Sequence, residues 1–186
     1  MKGHLRTKSE GLSPEFVKPK TRHSFLGVPS VTIAAAVAKD RVIMWHVVEK
    51  NWGGAMAAEM YSGPLLRSLK KTWGEKRQYT IVEDGDLKGN QSGLGIDAKA
   101  AAHIRALTLP PRTPSWMPLD FSIWAEIEAA MDRTAPEGTE NKADFIARLA
   151  RCARTLPRSV VRDALGRMKT NIQGVIAARG YYAKND

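Results

Sequence analysis

The first half of the chain opens with two runs of apolar and β-branched residues. Residues 31–37 (VTIAAAV) and 41–48 (RVIMWHVV) have the composition that is typical of strands. Only Ala38, Lys39 and Asp40 separate the two runs. Because so short a connection suits neighbouring antiparallel strands, the pattern predicts a hairpin.

The next patterns predict a helix and a further strand. In residues 55–73 the apolar positions recur with a helical period, although Gly63-Pro64 should break or kink the helix. Residues 77–83 then read as a strand, in which Tyr79, Ile81 and the adjacent Thr80 and Val82 form the short run expected of a strand that is buried on both faces. This run ends in an acidic turn, Glu83-Asp84-Gly85-Asp86.

The second half of the chain is mainly helical. A helix is predicted from about residue 97 to 107, followed by a short strand at 107–109. Pro118 suits the first position of the next helix, which runs to about residue 132. A basic helical tail over 142–178 completes the chain, with a break near Pro157.

This order of elements predicts a mixed α/β fold in which helices pack against a sheet. The length of 186 residues suits one domain with a proper core. We divide the chain into a basic irregular arm (1–24), an α/β core (25–133) and a basic helical extension (134–186).

The charge balance changes the picture by indicating a partner. Lysine and arginine exceed aspartate and glutamate by 29 to 19, which gives a formal net charge of +10. Such an excess favours DNA or another polyanion, because basic side chains that neutralise phosphates release counterions. The arginines of the tail could equally form one solvated helix face, since they are three or four residues apart. The candidate DNA-binding residues are Lys18, Lys20, Arg22, Arg148, Arg151, Arg154, Arg158 and Arg162.

The remaining composition bears on compartment. A single cysteine, Cys152, excludes an internal disulfide and a cysteine-based zinc site. The polar N-terminal residues do not resemble a signal peptide, and the longest apolar run is far too short to span a bilayer. We therefore expect a soluble intracellular protein with no membrane partner, and its charge suggests the nucleus or nucleoid.

Two aspartates lie where ligand sites are expected. Asp84 directly follows a buried strand, and open α/β sheets bind ligands at that end of their strands. Asp120 shares a predicted helix face with Trp124, Ile127 and Met131. A carboxylate on a core-facing stripe is costly unless it is paired or bound to a metal. The alternative for either residue is an ordinary turn or helix cap.

The sequence around both acids resembles the mariner superfamily of DDE transposases. The segment Asp84-Gly85-Asp86-Leu87-Lys88-Gly89 is similar to the turn that carries the family's second acid. The segment Thr113-Pro114-Ser115-Trp116-Met117-Pro118-Leu119-Asp120, followed by Trp124, matches the pattern around the third acid. The 35 residues between Asp84 and Asp120 are similar to the family's gap. The strand around Trp45 resembles the family's apolar-Trp-Gly strand, with His46 in place of glycine.

The resemblance, which covers roughly residues 25–130, implies an RNase H-like fold and a chemistry. It implies that Asp84 and Asp120 are catalytic ligands of Mg²⁺ or Mn²⁺, in two-metal phosphoryl transfer on DNA. Water would be the nucleophile for strand cleavage, and a DNA 3′-hydroxyl would be the nucleophile for joining. The resemblance also allows the chain to form a homo-oligomer. Carboxylate oxygens are the ligands that Mg²⁺ prefers, and two ions stabilise both the attacking and the leaving oxygen.

The family's first acid has no counterpart that the sequence reveals. Nothing in residues 1–28 has the pattern of a strand that contains an aspartate. Asp40 is predicted at the wrong end of the sheet, and Glu49 lies two strands away from Asp84, roughly 10 Å. The chain therefore resembles a core that begins after its first catalytic strand. Three functions remain open: incomplete strand transfer, a non-catalytic DNA-binding module derived from a transposase, and an unrelated basic nucleic-acid-binding protein.

Overall fold

The computed structural model describes residues 31–111, 113–138 and 140–179, so Lys18, Lys20, Arg22 and the predicted arm lie outside the described residues. A compact unit begins at Val31. Its elements in chain order are β1 (Thr32–Ala38), β2 (Arg41–Val48), α1 (Gly54–Met60), α2 (Leu66–Trp73), β3 (Tyr79–Glu83), α3 (Gly93–Ala101), β4 (Ile104–Thr108), α4 (Trp124–Arg133), α5 (Lys142–Arg154) and α6 (Arg158–Ala177).

The predicted hairpin is confirmed. β1 and β2 pair antiparallel, from Thr32 opposite Val48 to Ala38 opposite Arg41. Lys39 makes the turn with a left-handed φ of 58°, and its ammonium donates a hydrogen bond to the Thr72 carbonyl at 2.9 Å. The tip of the hairpin is thereby fixed to the end of α2.

The helix after the hairpin continues through Gly63-Pro64, where the sequence predicted a break or a kink. α1 and α2 are joined by one π-helical turn, Tyr61–Leu65, which contains Pro64. Hydrogen bonds in a π turn join residues five apart in the chain instead of four. Such a turn accommodates Pro64, which has no backbone N–H to donate. The chain therefore stays helical from Gly54 to Trp73.

β3 and β4 form a parallel pair, from Tyr79 opposite Ile104 to Glu83 opposite Thr108. The expectation that β3 is buried on both faces is wrong. Tyr79 and Glu83 are buried, whereas the alternate residues Thr80 and Val82 are exposed. β3 thus has one covered and one open face.

The predicted helix at 97–107 is wrong at both ends. α3 begins four residues earlier, because the Ser92 hydroxyl accepts a hydrogen bond from the Gly95 N–H at 3.1 Å and caps it. It ends at Ala101, and His103 turns the chain with a φ of 53°. Residues 104–107, predicted as helix, belong to β4.

The core consists of two hydrophobic clusters on either side of the hairpin. The first contains buried side chains of β2, α1, α2, β3 and β4, among them Met44, Tyr61, Leu65, Leu69 and Tyr79. The second contains buried side chains of α4, α5 and α6, among them Ile123, Ile127, Met131, Cys152 and Val161. Since α5 and α6 share a cluster with α4, the C-terminal helices belong to the packed body. They begin and end as predicted around the break at Pro157.

The hairpin contacts both clusters. Ala34 and Ala36 pack against the first, and Val37 and Trp45 pack against the second. The Trp45 indole lies 5.8 Å from that of Trp124, centroid to centroid, with the planes tilted by 60°. Within the described residues, no helix is both long and apolar enough to cross a membrane.

Candidate active site

The acidic loop after β3 is organised by Asp86. Its carboxylate accepts hydrogen bonds from the Trp52 indole N–H and the Gly89 N–H, both at 2.7 Å. Burial acts to raise the pKa of Asp86, but these hydrogen bonds outweigh it and lower the pKa below its usual value. The sequence indicated only that Asp86 belongs to an acidic turn. Asp86 is instead the residue that fixes the loop.

Asp84 lies at the tip of β3 and is exposed to solvent. The Asn90 side-chain amide donates a hydrogen bond to one of its carboxylate oxygens at 2.6 Å. Asn90 is itself buried, so it orients Asp84 from behind. Nothing in the sequence distinguished Asn90 from other loop residues.

Asp120 occupies the first turn of the helical segment that begins at Pro118, as predicted, but its environment differs. Residues 119–123 form a π-helical turn before α4, which rotates the helix face. The buried stripe therefore runs through Ile123, Ile127 and Met131, and Asp120 is exposed. The expectation that Asp120 points into the core is wrong.

The structure brings Asp84 and Asp120 to the same cleft, which has a volume of about 720 Å³. Burial is the main cause that raises the pKa of Asp120, and the negative charge of Asp84 raises it further. The neighbouring Trp124 indole acts in the opposite direction. Two negatively charged carboxylates that line one cleft repel each other, and a bound cation would relieve this repulsion.

A buried ionic network supports the site from below. Glu83 forms an ion pair with Lys99, and both side chains are 7% exposed. Glu83 also accepts hydrogen bonds from the Tyr61 hydroxyl at 2.5 Å and the Gln91 amide at 2.9 Å. Lys99 in turn donates to the Asn90 carbonyl at 2.9 Å. The network ties the π-helical turn after α1, β3 and α3 together next to Asp84.

Burial and the nearby Glu83 raise the pKa of Tyr61, which keeps its hydroxyl a hydrogen-bond donor. Tyr61, Gln91 and Lys99 were missed from the sequence. The signal was weak, because a lone lysine in a helix usually lies at the surface. Only the acidic residue at the buried end of β3, Glu83, called for a basic partner.

α6 braces the other side of the site. The Arg167 guanidinium donates to the Ser122 hydroxyl at 2.9 Å and lies 5.3 Å from the Phe121 ring centroid. The Asn171 amide donates to the Ser115 carbonyl at 2.7 Å. Both contacts hold the segment before α4, so the C-terminal helix positions Asp120.

The residues present fit a divalent cation in part. Asp84 and Asp120 are exposed carboxylates at one cleft, and oxygen ligands of this kind suit Mg²⁺ or Mn²⁺. Glu83 and Asp86 are committed to Lys99 and Trp52. Across residues 31–111, 113–138 and 140–179, no group of three or more His, Cys, Asp or Glu side chains could hold a metal.

Comparison with known proteins gives a match in structure. No protein-family model and no curated protein sequence matches the chain. The Mos1 transposase catalytic domain with raltegravir and Mn has a TM-score of 0.69 at 14% identity, over 84% of this chain and 79% of that one. The catalytic domain of Mos1 mariner transposase has a TM-score of 0.67 at 14% identity, over 83% and 76%. This chain has a mariner-type transposase fold.

A third solved structure, the Mos1 transposase paired-end complex with left transposon end, has a TM-score of 0.68 at 14% identity. It is matched over 82% of this chain and 44% of that one. The predicted RNase H-like architecture is thus confirmed. At this identity the likeness is one of fold.

The mariner-type fold places the candidate DNA-binding arginines in two different settings. Arg148 is largely buried, with its guanidinium bonded to both carboxylate oxygens of Glu140 and to the Met131 carbonyl. It joins α5 to α4, and it has little freedom to bind a phosphate. The exposed members are Arg151, Arg154, Arg158 and Arg162.

Arg158 and Arg162 lie near the tip of the hairpin. The Arg158 guanidinium is 3.6 Å from the Asp40 carboxylate. The pKa of Asp40 is lowered mainly by its hydrogen bond from Arg41, and Arg158 and Arg162 contribute. The hairpin turns at one end of β1 and β2, and Thr32 and Val48 lie at the other end, next to the loop that carries Asp84. Arg158 and Arg162 are therefore distant from Asp84.

Arg154 joins two cations that the sequence did not single out. Arg67 and Lys71 of α2 and Arg154 of α5 line one depression of about 290 Å³ along the outer edge of β2. All three are exposed, and none forms an ion pair with a described acidic residue. We call these three residues the basic depression.

Proposed function

We propose that this chain is a transposase-like domain that binds DNA and supplies two ligands of a metal-dependent phosphoryl-transfer site. The observation that carries the proposal is the convergence of Asp84 and Asp120 on one cleft of a mariner-type fold. The printed titles of the matched Mos1 structures name Mn, Mg and transposon DNA, which makes the same partners reasonable here.

Each residue of the site would have a distinct task. Asp84 and Asp120 would hold a divalent cation, which supplies charge stabilisation for the oxygens that exchange at the phosphorus. Asn90 would keep Asp84 in its ligating orientation. Asp86 and the Glu83–Lys99 pair would hold the loop rigid, since a site of this kind needs its ligands fixed within a fraction of an ångström.

The site would need a further ligand for strand cleavage and joining. Two carboxylates hold Mg²⁺ weakly, because each of its protein ligands replaces tightly bound water. We therefore propose that the described residues alone bind the metal without transferring a phosphoryl group efficiently. A third acid, from residues outside the described ones or from another chain, would complete the site.

The DNA-binding part of the proposal uses the exposed cations. The basic depression and Arg151 offer side chains that are free to contact phosphates. Lys18, Lys20 and Arg22 remain proposed contacts as well. A role on DNA would be carried out in the nucleus or the nucleoid, and the proposal allows for a second copy in a complex with two DNA ends.

The test is a Mn²⁺ titration of the purified chain, followed by electron paramagnetic resonance. We expect a weak site that is lost in Asp84→Asn and in Asp120→Asn. Asp163→Asn is the matched control, since Asp163 is an exposed acid of α6. Binding that survives both site variants unchanged would overturn the proposed site.

A nicking assay on supercoiled DNA with Mn²⁺ separates the catalytic and the non-catalytic function. Among the described acids that line the cleft, only Asp84 and Asp120 are not already bonded to Lys99 or Trp52, which favours a DNA-binding module that does not cut. Nicking by the natural chain that disappears in Asp84→Asn would show that the chain contains a complete nuclease site. DNA binding that ignores both aspartates but falls steeply with salt would support the non-catalytic alternative.

A further inference from the structure

Asn90 lies where the buried ionic network meets the two carboxylates of the cleft. The residue is 8% exposed, and it lines the same cleft as Asp84 and Asp120. Its backbone N–H donates to the Asp86 carboxylate at 3.4 Å, and its backbone carbonyl accepts from the Lys99 ammonium at 2.9 Å. The backbone of Asn90 is therefore held on both sides, and its carboxamide lies at a fixed place beside Asp84.

The hydroxyl of Tyr61 contacts two oxygen atoms although it carries one hydrogen. The Tyr61 oxygen is 2.5 Å from a Glu83 carboxylate oxygen and 3.0 Å from the Asn90 side-chain oxygen. A phenol has a single hydrogen to donate, so only one of the two contacts is a full hydrogen bond. Burial and the nearby Glu83 raise the pKa of Tyr61, so the hydroxyl keeps that hydrogen.

Glu83 is the acceptor that takes this hydrogen. Its carboxylate is paired with the Lys99 ammonium, and a hydrogen bond to a charged acceptor is about twice as strong as one to a neutral acceptor. The contact with Glu83 is also the shorter of the two. The oxygens of Tyr61 and Asn90 then face each other without a hydrogen between them, which is costly for buried groups.

A half-turn of the Asn90 carboxamide removes this conflict. The oxygen and the NH₂ group of a carboxamide are nearly indistinguishable in size, so the half-turn exchanges them without moving a neighbour. The Asn90 nitrogen then donates to the Tyr61 oxygen. The Asn90 oxygen takes the place of the nitrogen, which lies 2.6 Å from a carboxylate oxygen of Asp84.

The rotated Asn90 oxygen and the Asp84 carboxylate oxygen form a pair that suits a cation. Both atoms carry negative charge and neither carries a hydrogen, so they repel each other unless a cation binds to both. Carboxamide and carboxylate oxygens are both ligands of hard divalent cations. Neighbouring ligands at about 2.1 Å from an octahedral ion are about 3 Å apart, which is close to the separation of these two positions.

We propose that the Asn90 carboxamide oxygen is a third ligand of the divalent cation that Asp84 and Asp120 hold. The inference rests on the proposed metal site and adds a neutral ligand to it. Without the ion, the Asn90 nitrogen donates to Asp84. With the ion, the carboxamide is rotated by a half-turn and donates to Tyr61. The buried network favours the rotated state, because that state gives the Tyr61 oxygen a donor while its hydrogen stays on Glu83.

The other polar side chains beside Asn90 are engaged elsewhere. The Asp86 carboxylate accepts from Trp52 and Gly89, and the Gln91 amide donates to Glu83 and Thr108. The Asn90 oxygen is therefore the one that the loop offers to the cation alongside Asp84. Because it is neutral, it adds a ligand without adding charge, and the third acid that strand transfer needs is still required.

An exchange of the ligand atom tests the assignment. In Asn90→Cys a thiolate replaces the carboxamide oxygen, and its preference for soft ions should raise Cd²⁺ affinity relative to Mn²⁺ at least about ten-fold. A Cd²⁺–thiolate absorption band should appear in the ultraviolet and should be lost when Asp84→Asn is added. Leu87→Cys is the matched control and should show neither effect, because Leu87 is an exposed residue of the same loop that does not line the cleft.

A second measurement uses the natural chain and does not depend on how a variant folds. The side-chain NH₂ signals of Asn90, assigned by nuclear magnetic resonance, should shift when Mg²⁺ is added, and a nuclear Overhauser contact with the Tyr61 ring should appear. Signals that Mg²⁺ leaves in place, or a folded Asn90→Cys without the Cd²⁺ band, would overturn the inference.

The proposed function has a separate outcome in the same experiments. If the Mn²⁺ site is still lost in Asp84→Asn and in Asp120→Asn, failure of the Asn90 tests overturns the third ligand alone. A natural chain that binds no Mn²⁺ would overturn both the proposed metal site and the inference that rests on it.

Discussion

At the scale of single residues, the site depends on charges that are buried and paired. Glu83 and Lys99 are both buried, and they hold the loop that carries Asp84 through Gln91 and Asn90. A neutral substitution at either residue should destabilise the fold, because the charge of the other residue is then buried and unpaired.

Lys99→Met should destabilise the folded state by about 3–5 kcal/mol, because Glu83 then lies buried without its cation. Urea denaturation measures the change in the free energy of unfolding. Lys169→Met, at an exposed position of α6, is the control and should remain within about 0.5 kcal/mol of the natural chain. A similar loss for both variants would mean that the ion pair is not the cause.

The Glu140–Arg148 pair predicts a dependence of stability on pH. The hydrogen bond from Arg148 is the main cause that lowers the pKa of Glu140 below its usual value of 4.5. The pair therefore stabilises the fold above pH 4.5, and this contribution is lost as the pH falls through the lowered pKa. Glu140→Gln should reduce the melting temperature at pH 7, and the difference should vanish in strong acid.

Glu128→Gln provides the comparison for this pH series, because Glu128 is an exposed acid of α4 outside any described ion pair. Its melting temperature should follow that of the natural chain throughout. A difference between Glu140→Gln and the natural chain that persists unchanged into strong acid would exclude the ionised pair as its source.

At the scale of elements, two close backbone approaches determine how α3 meets the acidic loop. A side chain at Gly95 would collide with the Gly89 carbonyl oxygen and crowd the Asn90 carbonyl, 3.1 Å away. Gly93, in the first turn of the same helix, has nothing within 4 Å of such a position. The helix is therefore packed tightly against the loop on one side only.

Gly95→Ala should cost about 1–3 kcal/mol, because the loop must move to admit the methyl group. Gly93→Ala should be neutral or should stabilise the protein by up to about 1 kcal/mol, since alanine favours helices. Thermal unfolding of the two variants makes the comparison. Equal effects would show that the close approach is absent in solution.

The sequence was informative where local pattern determines the element. The hairpin and the two C-terminal helices were predicted because β-branched composition, helical period and Pro157 act within a few residues. The start of α3 was missed because Ser92 competes with Asp97 as a cap, and a cap depends on one hydrogen bond. The π turns at Pro64 and Asp120 depend on packing against other elements, so no local pattern predicted them.

For the candidate site, the sequence indicated the two acids and not their setting. Motif and spacing brought Asp84 and Asp120 together. The roles of Asn90, Lys99 and Arg167 arise from contacts between residues that are distant in the chain, such as Arg167 with Ser122. Arg148, which was predicted at DNA from its charge, lies in a contact between α5 and the end of α4, and no local pattern indicated that contact.

At the scale of the whole molecule, the net charge of +10 is not spread evenly among functional roles. Lys99 is paired with the buried Glu83, Arg148 is paired with Glu140, and Arg158 contacts Asp40. The cations that remain available include the basic depression on the outer edge of β2. Contacts with phosphates should therefore concentrate there.

Replacement of Arg67, Lys71 and Arg154 by glutamine should weaken DNA binding and reduce its salt dependence. Each lost phosphate contact lowers the slope of log K against log salt by about 0.9, so a reduction of about 2–3 is expected. Fluorescence anisotropy of a labelled duplex at several salt concentrations gives the slope. Glutamine at the exposed residues Lys76, Arg105 and Arg133 removes the same charge, and equal slopes for both triple variants would rule out a localised surface.

The two hydrophobic clusters have a mechanical consequence for the pair of aspartates. Asp84 extends from a strand anchored in the first cluster, and Asp120 from a helical segment anchored in the second. The distance between the two aspartates therefore depends on how both clusters pack against the hairpin. Trp45 of the hairpin contacts Trp124 there. A cation bound by both aspartates would therefore link the elements of the first cluster to the elements of the second.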